Sequence, residues 1–339
     1  GSTVSVGVAS YPVHGAWSRL LAHATAAMRH VRQAGGNGHA LYAQAMSVDL
    51  REQALLLQDL RLAVERGELT LLYQPKIDAR SLQVTAAEAL LRWEHPTRGV
   101  VSPAVFVPLA ERHGLIRPIG DWVVAEACRQ AAAWRSSGLR MRIAINISGH
   151  QLRHDRFVAH LEEQARLHGI PPSRLTCEIT ESVAMEDTAQ TRKAFQRLRH
   201  AGFHVSIDDF GTGHSSLAVL RRLPAAELKV DRSFIVDLEM SESARSIVEA
   251  VLGVARSLGL RVVAEGVETQ AQRDILVRMG CDELQGYLFA RPMSAIALGL
   301  WAHGGEPHDS RSGTGDTRAP VAAFRPSLFD ATQPAPITE

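Results

Sequence analysis

Apolar residues in the middle of the chain alternate between short continuous runs and longer stretches with helical spacing. From Asp49 to about Trp301 this alternation repeats, which is typical of βα units and a parallel sheet. Eight strands in this length favour an α/β fold with a closed (β/α)8 barrel of the TIM type over an open sheet. The predicted strands are 69–77, 84–93, 142–148, 175–181, 204–210, 227–231, 261–267 and 283–289.

Two of the segments between strands carry clear helix signals. Apolar residues recur at helical spacing in two segments, 187–202 and 242–258. The first segment ends at Gly202, and Gly259 follows the second. A glycine after the last periodic residue is a common helix stop. We therefore predict a helix in each segment.

The two ends of the chain differ from this middle zone, 49–303. Residues 1–48 contain a strand-like run at 4–9 and a helical pattern at 20–31, and they are too few to bury a core of their own. We interpret them as the end of a preceding domain or as a helical appendage of the barrel. Residues 304–339 are rich in Gly, Ser, Thr and Pro, which predicts a disordered tail.

Composition excludes some classes of function. The 339 residues contain 37 Lys and Arg against 36 Asp and Glu, a net charge of +1, so the positive surplus that binding to a nucleic-acid polymer usually needs is missing. No apolar run approaches the ~18 residues of a membrane span, and no signal peptide opens the chain. We expect a cytoplasmic protein whose present sequence makes no membrane contact, although a longer native protein could carry a membrane anchor.

Cys128, Cys177 and Cys281 lack CxxC spacing and are odd in number, which argues against a disulfide framework or a thiolate zinc site. Free cysteines of this kind are commonly buried. We predict that all three fill the core.

Charged residues interrupt the apolar strands at recurring positions. Asp208 and Asp209 end the run 204–207 and are followed by glycines. A buried acid is costly unless it binds a cation or a partner. Similar strand tips recur along the sequence, with Glu88 after 84–87, Asn146 after 143–145, Glu178 after 175–177, Lys229 within 227–231 and Glu265 after 262–264.

In a (β/α)8 barrel the carboxyl ends of the strands form one bowl, so these residues would converge there. Carboxylate and amide oxygens suit Mg²⁺ or Mn²⁺. The adjacent Asp208 and Asp209 could hold two ions about 3.5–4 Å apart, which would clamp the attacking and leaving oxygens of a phosphodiester. Lys229 could orient the hydroxide or a phosphate oxygen.

Each residue also has a structural explanation. Glu88 could pair with the nearby Arg92, Asn146 could form a turn, and Lys229 could be an ordinary salt-bridge partner. The segment 211–213 could be a plain loop or a mobile segment that senses substrate. Repetition on successive strands favours metal binding. Four histidines lack metal-ligand spacing, and we expect them on the surface or in loops: His95, His150, His204 and His214.

At these residues the chain, from about 55 to 294, closely resembles the EAL-domain family of cyclic di-GMP phosphodiesterases. The motifs that carry the resemblance are Glu88-Ala89-Leu90, Asn146-Ile147-Ser148, Glu178-Ile179-Thr180-Glu181, Asp208-Asp209-Phe210-Gly211, Lys229-Val230-Asp231, Glu265-Gly266-Val267-Glu268 and Gln285-Gly286. The resemblance implies a barrel whose first strand is antiparallel. It also implies two Mg²⁺ or Mn²⁺ ions and hydrolysis of one phosphodiester of cyclic di-GMP to linear pGpG.

The resemblance also implies roles for single residues. Lys229 would orient the nucleophilic water, Glu268 would support the metal shell through water, and Glu181 would hold the loop after Asp209. Lys229, Glu88, Asp208 and Glu268 would thus be catalytic. The implied metal ligands are Glu88, Asn146, Glu178, Asp208, Asp209 and Glu265. The implied substrate-binding residues are Gln74 near the guanine, Arg92 on a phosphate, Gln285 and Asp231.

One position departs from the family pattern, because His214 stands where an aromatic residue is usual. The family also tends to form homodimers through the helix and loop after the Asp208-Asp209 strand. Residues 1–48 resemble the closing strand and helix of a GGDEF-type diguanylate cyclase domain without its signature loop. We therefore expect no synthesis of cyclic di-GMP by this chain.

Two alternatives to the phosphodiesterase hypothesis remain at this point. One is a catalytically silent EAL module that binds cyclic di-GMP as a receptor. The other is a barrel enzyme that acts on another phosphodiester or on a carbonyl substrate. The silent receptors typically lack a metal ligand or the lysine, whereas all of these residues are present in this chain.

Overall fold

Eight strands close into one barrel in the computed structural model, which describes residues 3–14, 16–33, 36–186, 188–212 and 217–304. Three further short strands lie outside the ring. The strands are β1 (Val6–Val8), β2 (His39–Leu41), β3 (Leu69–Asp78), β4 (Val84–His95), β5 (Gly99–Val101), β6 (Arg142–Asn146), β7 (Leu175–Thr180), β8 (His204–Phe210), β9 (Glu227–Val230), β10 (Arg261–Ala264) and β11 (Glu283–Leu284).

The ring closes because β3 pairs with both β4 and β11. It runs antiparallel to each of them. The remaining neighbours, in the order β4, β6, β7, β8, β9, β10 and β11, pair in parallel. This arrangement confirms the predicted (β/α)8 barrel with an antiparallel first strand. Strand β5 pairs antiparallel with the carboxyl end of β4, at residues 93–95, and forms a hairpin outside the ring.

Helices connect the strands and cover the barrel. Their apolar faces pack on the strands, as the helical spacing of their apolar residues requires. The helices are α1 (Trp17–Gln33), α2 (Gln44–Leu60), α3 (Pro103–Arg112), α4 (Ile116–Ser136), α5 (Gly149–Leu152), α6 (Phe157–Leu167), α7 (Glu181–Ala184), α8 (Ala189–His200), α9 (Leu217–Leu220), α10 (Arg232–Val236), α11 (Glu242–Ser257), α12 (Gln270–Met279) and α13 (Ala295–Ala302). None of the described helices has the length and apolar composition of a membrane span.

Local signals predicted most elements within a few residues. Helices α8 and α11 confirm the two predicted helices, although Asp187 lies outside the described residues. Gly202 and Gly259 have φ angles of 85° and 70°, so both occupy the left-handed region that favours glycine at a helix end.

The strand predicted for 283–289 is shorter, because β11 ends at Leu284. There the chain turns over Gly286, where a Cβ atom would lie 2.1 Å from the Val267 carbonyl oxygen. Only glycine permits this close approach of two backbone segments.

The amino-terminal zone forms a small unit of its own. Strands β1 and β2 pair in parallel, and helix α1 packs on them through buried Ala26, Ala27 and Val31. Helix α2 runs without a break through the predicted boundary between residues 48 and 49. The domain assignment stays a prediction, and the predicted tail beyond Gly304 lies outside the described residues.

Burial confirms one expectation and corrects another. All three cysteines are free and buried, as predicted. His95, however, is only 7% exposed on strand β4, because its ring packs on Trp93 and contacts Asp59. His204 begins strand β8 and is half-buried. The expectation of surface or loop positions was wrong for these two residues, since His95 packs on Trp93 and His204 lies in a strand that pairs with β7.

Candidate active site

The Lys229 ammonium lies inside the barrel mouth among four carboxylates. Its Nζ is 2.7 Å from Glu265 Oε1 and 3.0 Å from Asp208 Oδ1. It is 3.1 Å from Glu178 Oε2 and 3.6 Å from Glu88 Oε2. The lysine is 1% exposed, so its charge is stabilised by these acids rather than by water. The structure therefore brings four of the predicted site residues together around Lys229, itself a predicted site residue.

Strand register explains this convergence. Side chains alternate along a strand, so every second residue faces the interior. Lys229 pairs with Val263, and Glu265 lies two residues beyond Val263. Asn146 pairs with Glu178 across β6 and β7. These residues lie at or near the carboxyl ends of their strands, as predicted.

Glu88 is an exception to the predicted position at a strand tip. Strand β4 continues past Glu88 to His95, because β3 and then β5 pair with this extension. Glu88 still lies beside the other acids, since its register partner on the parallel strand β6 is Ala144. The predicted position at a strand tip was therefore wrong for Glu88, although its carboxylate still lies 3.6 Å from Lys229 Nζ.

A set of amide side chains holds Glu88 in place. Asn146 Nδ2 donates to Glu88 Oε1 at 2.8 Å, and Gln285 Nε2 donates to Glu88 Oε2 at 2.7 Å. Gln285 Nε2 is also 3.2 Å from Gln74 Oε1, and Gln74 donates to the Ala290 carbonyl at 3.2 Å. Gln74, the register partner of Glu88, is thus placed at the same level of the barrel.

The crowded charges shift the acids in different directions. Burial raises the pKa of Glu88, but Lys229, Lys76 and the hydrogen bonds from the two amides outweigh it, and its pKa falls to about 2. Burial raises the pKa of Glu178 to about 8, with the negative charge of Glu88 adding to the effect and the two lysines opposing it. For Glu265, burial raises the pKa to about 7 against the effect of Lys229.

Asp209 belongs to the same crowded group. Burial, then the neighbouring charge of Asp208, raises its pKa. Burial lowers the pKa of Lys229, yet the surrounding acids, Glu178 first, raise it well above its ordinary value. The ammonium groups of Lys229 and Lys76 therefore offset only part of the negative charge of these five acids, and a further cation would lower the electrostatic cost of the site.

The donor geometry fits a hard metal ion. One carboxylate oxygen from each of Asp208, Asp209 and Glu265 lies within 4.8 Å of the other two. Asp209 has a φ of 55°, a left-handed conformation that turns its side chain away from the ordinary strand direction. Oxygen donors of this kind are those that Mg²⁺ and Mn²⁺ prefer.

Glu181 and Glu268 lie at the edges of the site. Glu181 Oε2 accepts a 2.7 Å hydrogen bond from the Gly211 N–H, on the loop that follows Asp209. Residues 213–216, including His214, lie outside the described residues. Glu268 Oε1 lies 2.7 Å from Arg232 Nη2 and is partly exposed.

Asp231 and Arg92 are less directly connected to the acids. Asp231 caps helix α10, because its Oδ1 accepts from the Ser233 N–H at 2.9 Å. Arg92 is half-buried on β4 and donates to the Leu91 carbonyl at 2.9 Å. It lies four residues beyond Glu88, which places both on the same face of that strand.

Sequence reasoning missed several residues of this region. Lys76 Nζ lies 2.7 Å from Glu178 Oε1, and its only sequence signal is a lysine inside the first apolar strand. Arg232 and Tyr287 line the mouth, and the Tyr287 ring lies 4.3 Å below the Arg291 guanidinium. The cavity at the mouth, of about 180 Å³, is lined by Gln74, Glu88, Arg232, Glu265, Gly266, Glu268, Gln285, Gly286 and Tyr287.

Comparison with known proteins identifies the family. Residues 57–292, more than half of the 339-residue chain, match the EAL domain. The chain belongs to the EAL-domain family. The family predicted from the motifs is thereby confirmed, whereas the GGDEF-type resemblance of residues 1–48 stays a prediction.

Two curated relatives of this EAL chain illustrate the similarity. The bifunctional diguanylate cyclase/cyclic di-GMP phosphodiesterase MucR of Pseudomonas aeruginosa is 45% identical over 298 residues, which cover 87% of this chain and 44% of MucR. The cyclic di-GMP phosphodiesterase PdeR of Escherichia coli is 37% identical over 301 residues, which cover 88% of this chain and 45% of PdeR. The chain thus spans less than half the length of these relatives.

A solved structure extends the comparison to three dimensions. The c-di-GMP complex of the PaMucR phosphodiesterase is 48% identical to this EAL chain with a TM-score of 0.69, and the match covers 72% of this chain and 99% of that one. Nearly the whole of that solved chain therefore has a counterpart in this chain.

Proposed function

We propose that this chain is a metal-dependent phosphodiesterase that hydrolyses one phosphodiester of cyclic di-GMP to linear pGpG. The observation that carries the proposal is the group of four carboxylates around Lys229 at the barrel mouth. The names of MucR and PdeR, and the ligand in the PaMucR structure, support cyclic di-GMP as the substrate.

The metal ligands would be Glu88, Asn146, Glu178, Asp208, Asp209 and Glu265. Two Mg²⁺ or Mn²⁺ ions held there would neutralise phosphate charge and lower the pKa of a water molecule. The negative charge of the carboxylates in this set is offset only in part by Lys229. This remaining negative charge supports a site that takes up cations.

The residues around the acids would orient the substrate and the water. Lys229 would hold the attacking oxygen in line with the phosphorus, and Glu268 would position a second water at the edge of the site. Gln74 and Gln285 would face the substrate across Glu88, and Tyr287 is exposed enough to contact a base. Arg92 and Asp231 would bind the substrate from the rim of the site, and Arg92 would contact a phosphate.

Glu181 would control the loop that begins after Asp209. Its hydrogen bond to the Gly211 N–H fixes the start of that loop beside two proposed metal ligands. We further propose that the protein forms homodimers through the region after Asp209.

We also propose that residues 1–48 are the closing part of a GGDEF-type domain. Their parallel pair, β1 and β2, joined by α1, is compatible with an edge of an α/β domain. We further propose a cytoplasmic location for the protein.

A silent receptor is the competing function, and it is less well supported. Such a receptor would bind cyclic di-GMP without cutting it. Every acid and amide of the proposed metal set is present, as is the lysine. No proposed metal ligand is missing from the sequence, so the sequence gives no reason to expect a loss of activity.

The test is to incubate the full chain with cyclic di-GMP and Mn²⁺ and to measure pGpG by chromatography. We expect pGpG to form, to be abolished by EDTA, and to be lost in Glu88→Gln. The matched control is Glu94→Gln, an exposed acid on the same strand, which should retain full activity. Binding of cyclic di-GMP without pGpG in the wild type would favour the receptor instead.

A further inference from the structure

Lys76 is a buried lysine that the proposed mechanism does not use. It lies on β3, points into the barrel and is 1% exposed. Placing an ammonium in the protein interior is expensive unless its charge and hydrogen bonds are compensated. Its position therefore needs an explanation.

Glu178 is shared between two buried lysines. Lys76 Nζ donates to Glu178 Oε1 at 2.7 Å, while Lys229 Nζ donates to Glu178 Oε2 at 3.1 Å. The Glu178 side chain has no exposed surface. Each carboxylate oxygen thus has its own cation, and the contact with Lys76 turns the other oxygen toward the barrel mouth.

The other partner of Lys76 is anchored at the opposite end of the barrel. Lys76 Nζ donates to Glu227 Oε1 at 3.0 Å. Glu227 Oε2 lies 3.6 Å from Arg142 and 3.3 Å from Arg261. Both arginines also contact Glu283 Oε1, at 2.5 Å and 3.1 Å.

These four residues form a ring that we call the basal network: Arg142, Glu227, Arg261 and Glu283. Each is the first residue of its strand, so the basal network lies at the end of the barrel away from the mouth. Its two arginines hold Glu227, and Glu227 in turn holds the Lys76 ammonium. Lys76 therefore connects a fixed base with a carboxylate of the proposed metal site.

We propose that Lys76 is a positioning residue, which holds Glu178 in the orientation that binds metal and thereby sets the metal affinity of the site. The inference rests on the proposed function, because it assigns Glu178 to the metal set. Lys76 acts through Glu178 and is separate from the substrate-contacting residues. Partners that orient a ligating carboxylate typically contribute about 10–100-fold to metal affinity or activity.

A purely structural role for Lys76 leads to a different expectation. If Lys76 is purely structural, its loss lowers the free energy of unfolding, and the effect on Mn²⁺ affinity does not depend on whether Glu178 is present. Loss of a positioning contact changes metal binding, and it does so only while Glu178 is present to be positioned. A double-mutant cycle between these two residues separates the roles.

The experiment measures Mn²⁺ affinity of the full chain by titration calorimetry, without substrate. The variants are Lys76→Met, Glu178→Gln and the double variant, with Lys193→Met as the exposed-lysine control. We expect Lys76→Met to weaken Mn²⁺ binding by about 10–100-fold. The double variant should bind Mn²⁺ no more weakly than Glu178→Gln alone, and Lys193→Met should match the wild type.

A second variant, Lys76→Gln, keeps the test valid if Lys76→Met does not fold. Lys76→Gln removes the charge but keeps a hydrogen-bond donor on a slightly shorter side chain, so its loss of Mn²⁺ affinity should be smaller than that of Lys76→Met. If Lys76→Met does not fold, the cycle is built with Lys76→Gln and must show the same lack of additivity. Unchanged Mn²⁺ affinity in a folded Lys76 variant, or additive losses in the cycle, would overturn the inference. Failure of the wild type to bind Mn²⁺ would overturn the proposed metal-dependent function as well.

Discussion

Lys229 Nζ and Glu265 Oε1 lie 2.7 Å apart, on the tips of two neighbouring parallel strands. The lysine is buried, and its raised pKa keeps it charged. The same ammonium contacts Asp208, Glu178 and Glu88. Lys229 is therefore both a structural counter-ion of the acids and the group proposed to orient the nucleophile.

Lys229→Met should separate these two roles. We expect kcat to fall by at least about 100-fold, because a preorganised donor acts mainly on the transition state. Binding of cyclic di-GMP, titrated in Ca²⁺ to suppress turnover, should change much less. The melting temperature in EDTA should fall, since Glu88, Asp208 and Glu265 lose their ammonium partner and Glu178 keeps only Lys76. An unchanged kcat with a raised KM would instead make Lys229 a phosphate anchor.

Asp209→Asn should lower the rate of hydrolysis without lowering the melting temperature. The substitution removes one of two adjacent negative charges, and asparagine tolerates the left-handed backbone at φ 55°. We expect the melting temperature in EDTA to stay level or rise, and hydrolysis in Mn²⁺ to fall at least about tenfold. A clear loss of melting temperature in EDTA would show that Asp209 is held by a compensating partner and does not repel its neighbours.

Gly286→Ala should damage the site through the backbone. A Cβ atom at this position would lie 2.1 Å from the Val267 carbonyl oxygen, and the adjacent Gln285 donates to Glu88. We expect a loss of about 1–3 kcal/mol in the free energy of unfolding, measured in urea, together with reduced kcat.

The matched control is Gly253→Ala on helix α11, where a Cβ atom would have no neighbour within 4 Å. It should raise the free energy of unfolding by about 1 kcal/mol, because alanine favours a helix. Equal effects of the two substitutions would contradict the proposed backbone clash.

His204 should make stability depend on pH below neutrality. Burial, then the charges of Arg142 and Arg174, lowers its pKa, against the opposing effect of Glu227. Its Nδ1 is buried and has no hydrogen-bond partner among the described residues. The unfolded state therefore binds a proton more readily than the folded state.

The stabilising effect of neutral His204 is present above its ordinary pKa of about 6.5 and is lost as the pH falls toward the lowered value. We expect the melting temperature of the wild type to decrease more between pH 7.5 and pH 5.5 than that of His204→Gln. Parallel decreases in the two proteins would exclude His204 as the cause.

Calcium should inhibit hydrolysis while it permits binding. Ca²⁺ has longer bonds and a higher coordination number than Mg²⁺, so it disturbs the geometry that two closely spaced ions need. We expect added Ca²⁺ to suppress formation of pGpG in Mn²⁺ while cyclic di-GMP still binds by calorimetry. Equal rates in Ca²⁺ and Mg²⁺ would argue against a two-metal mechanism.

The sequence by itself determined the barrel and its family, and it predicted which acids would share one site. Apolar periodicity reports local structure, and each βα unit carries its own signal, so the eight strands could be located from neighbouring residues alone. The motifs around Glu88, Asn146 and Asp208 then named the family. Once a barrel is assumed, its geometry places the ends of successive strands together.

Only the tertiary structure decided which charges meet and how each is compensated. Lys76 and Glu178 are 102 positions apart, so no local pattern could predict their contact. The contact between His95 and Asp59, 36 positions away, likewise depends on an element outside the strand that carries His95. Burial raises the pKa of Glu178, whereas Lys229, Lys76 and two amide hydrogen bonds outweigh burial and lower the pKa of Glu88. Electrostatic energies in a protein interior depend on distances of a few ångströms between side chains, and barrel closure sets those distances.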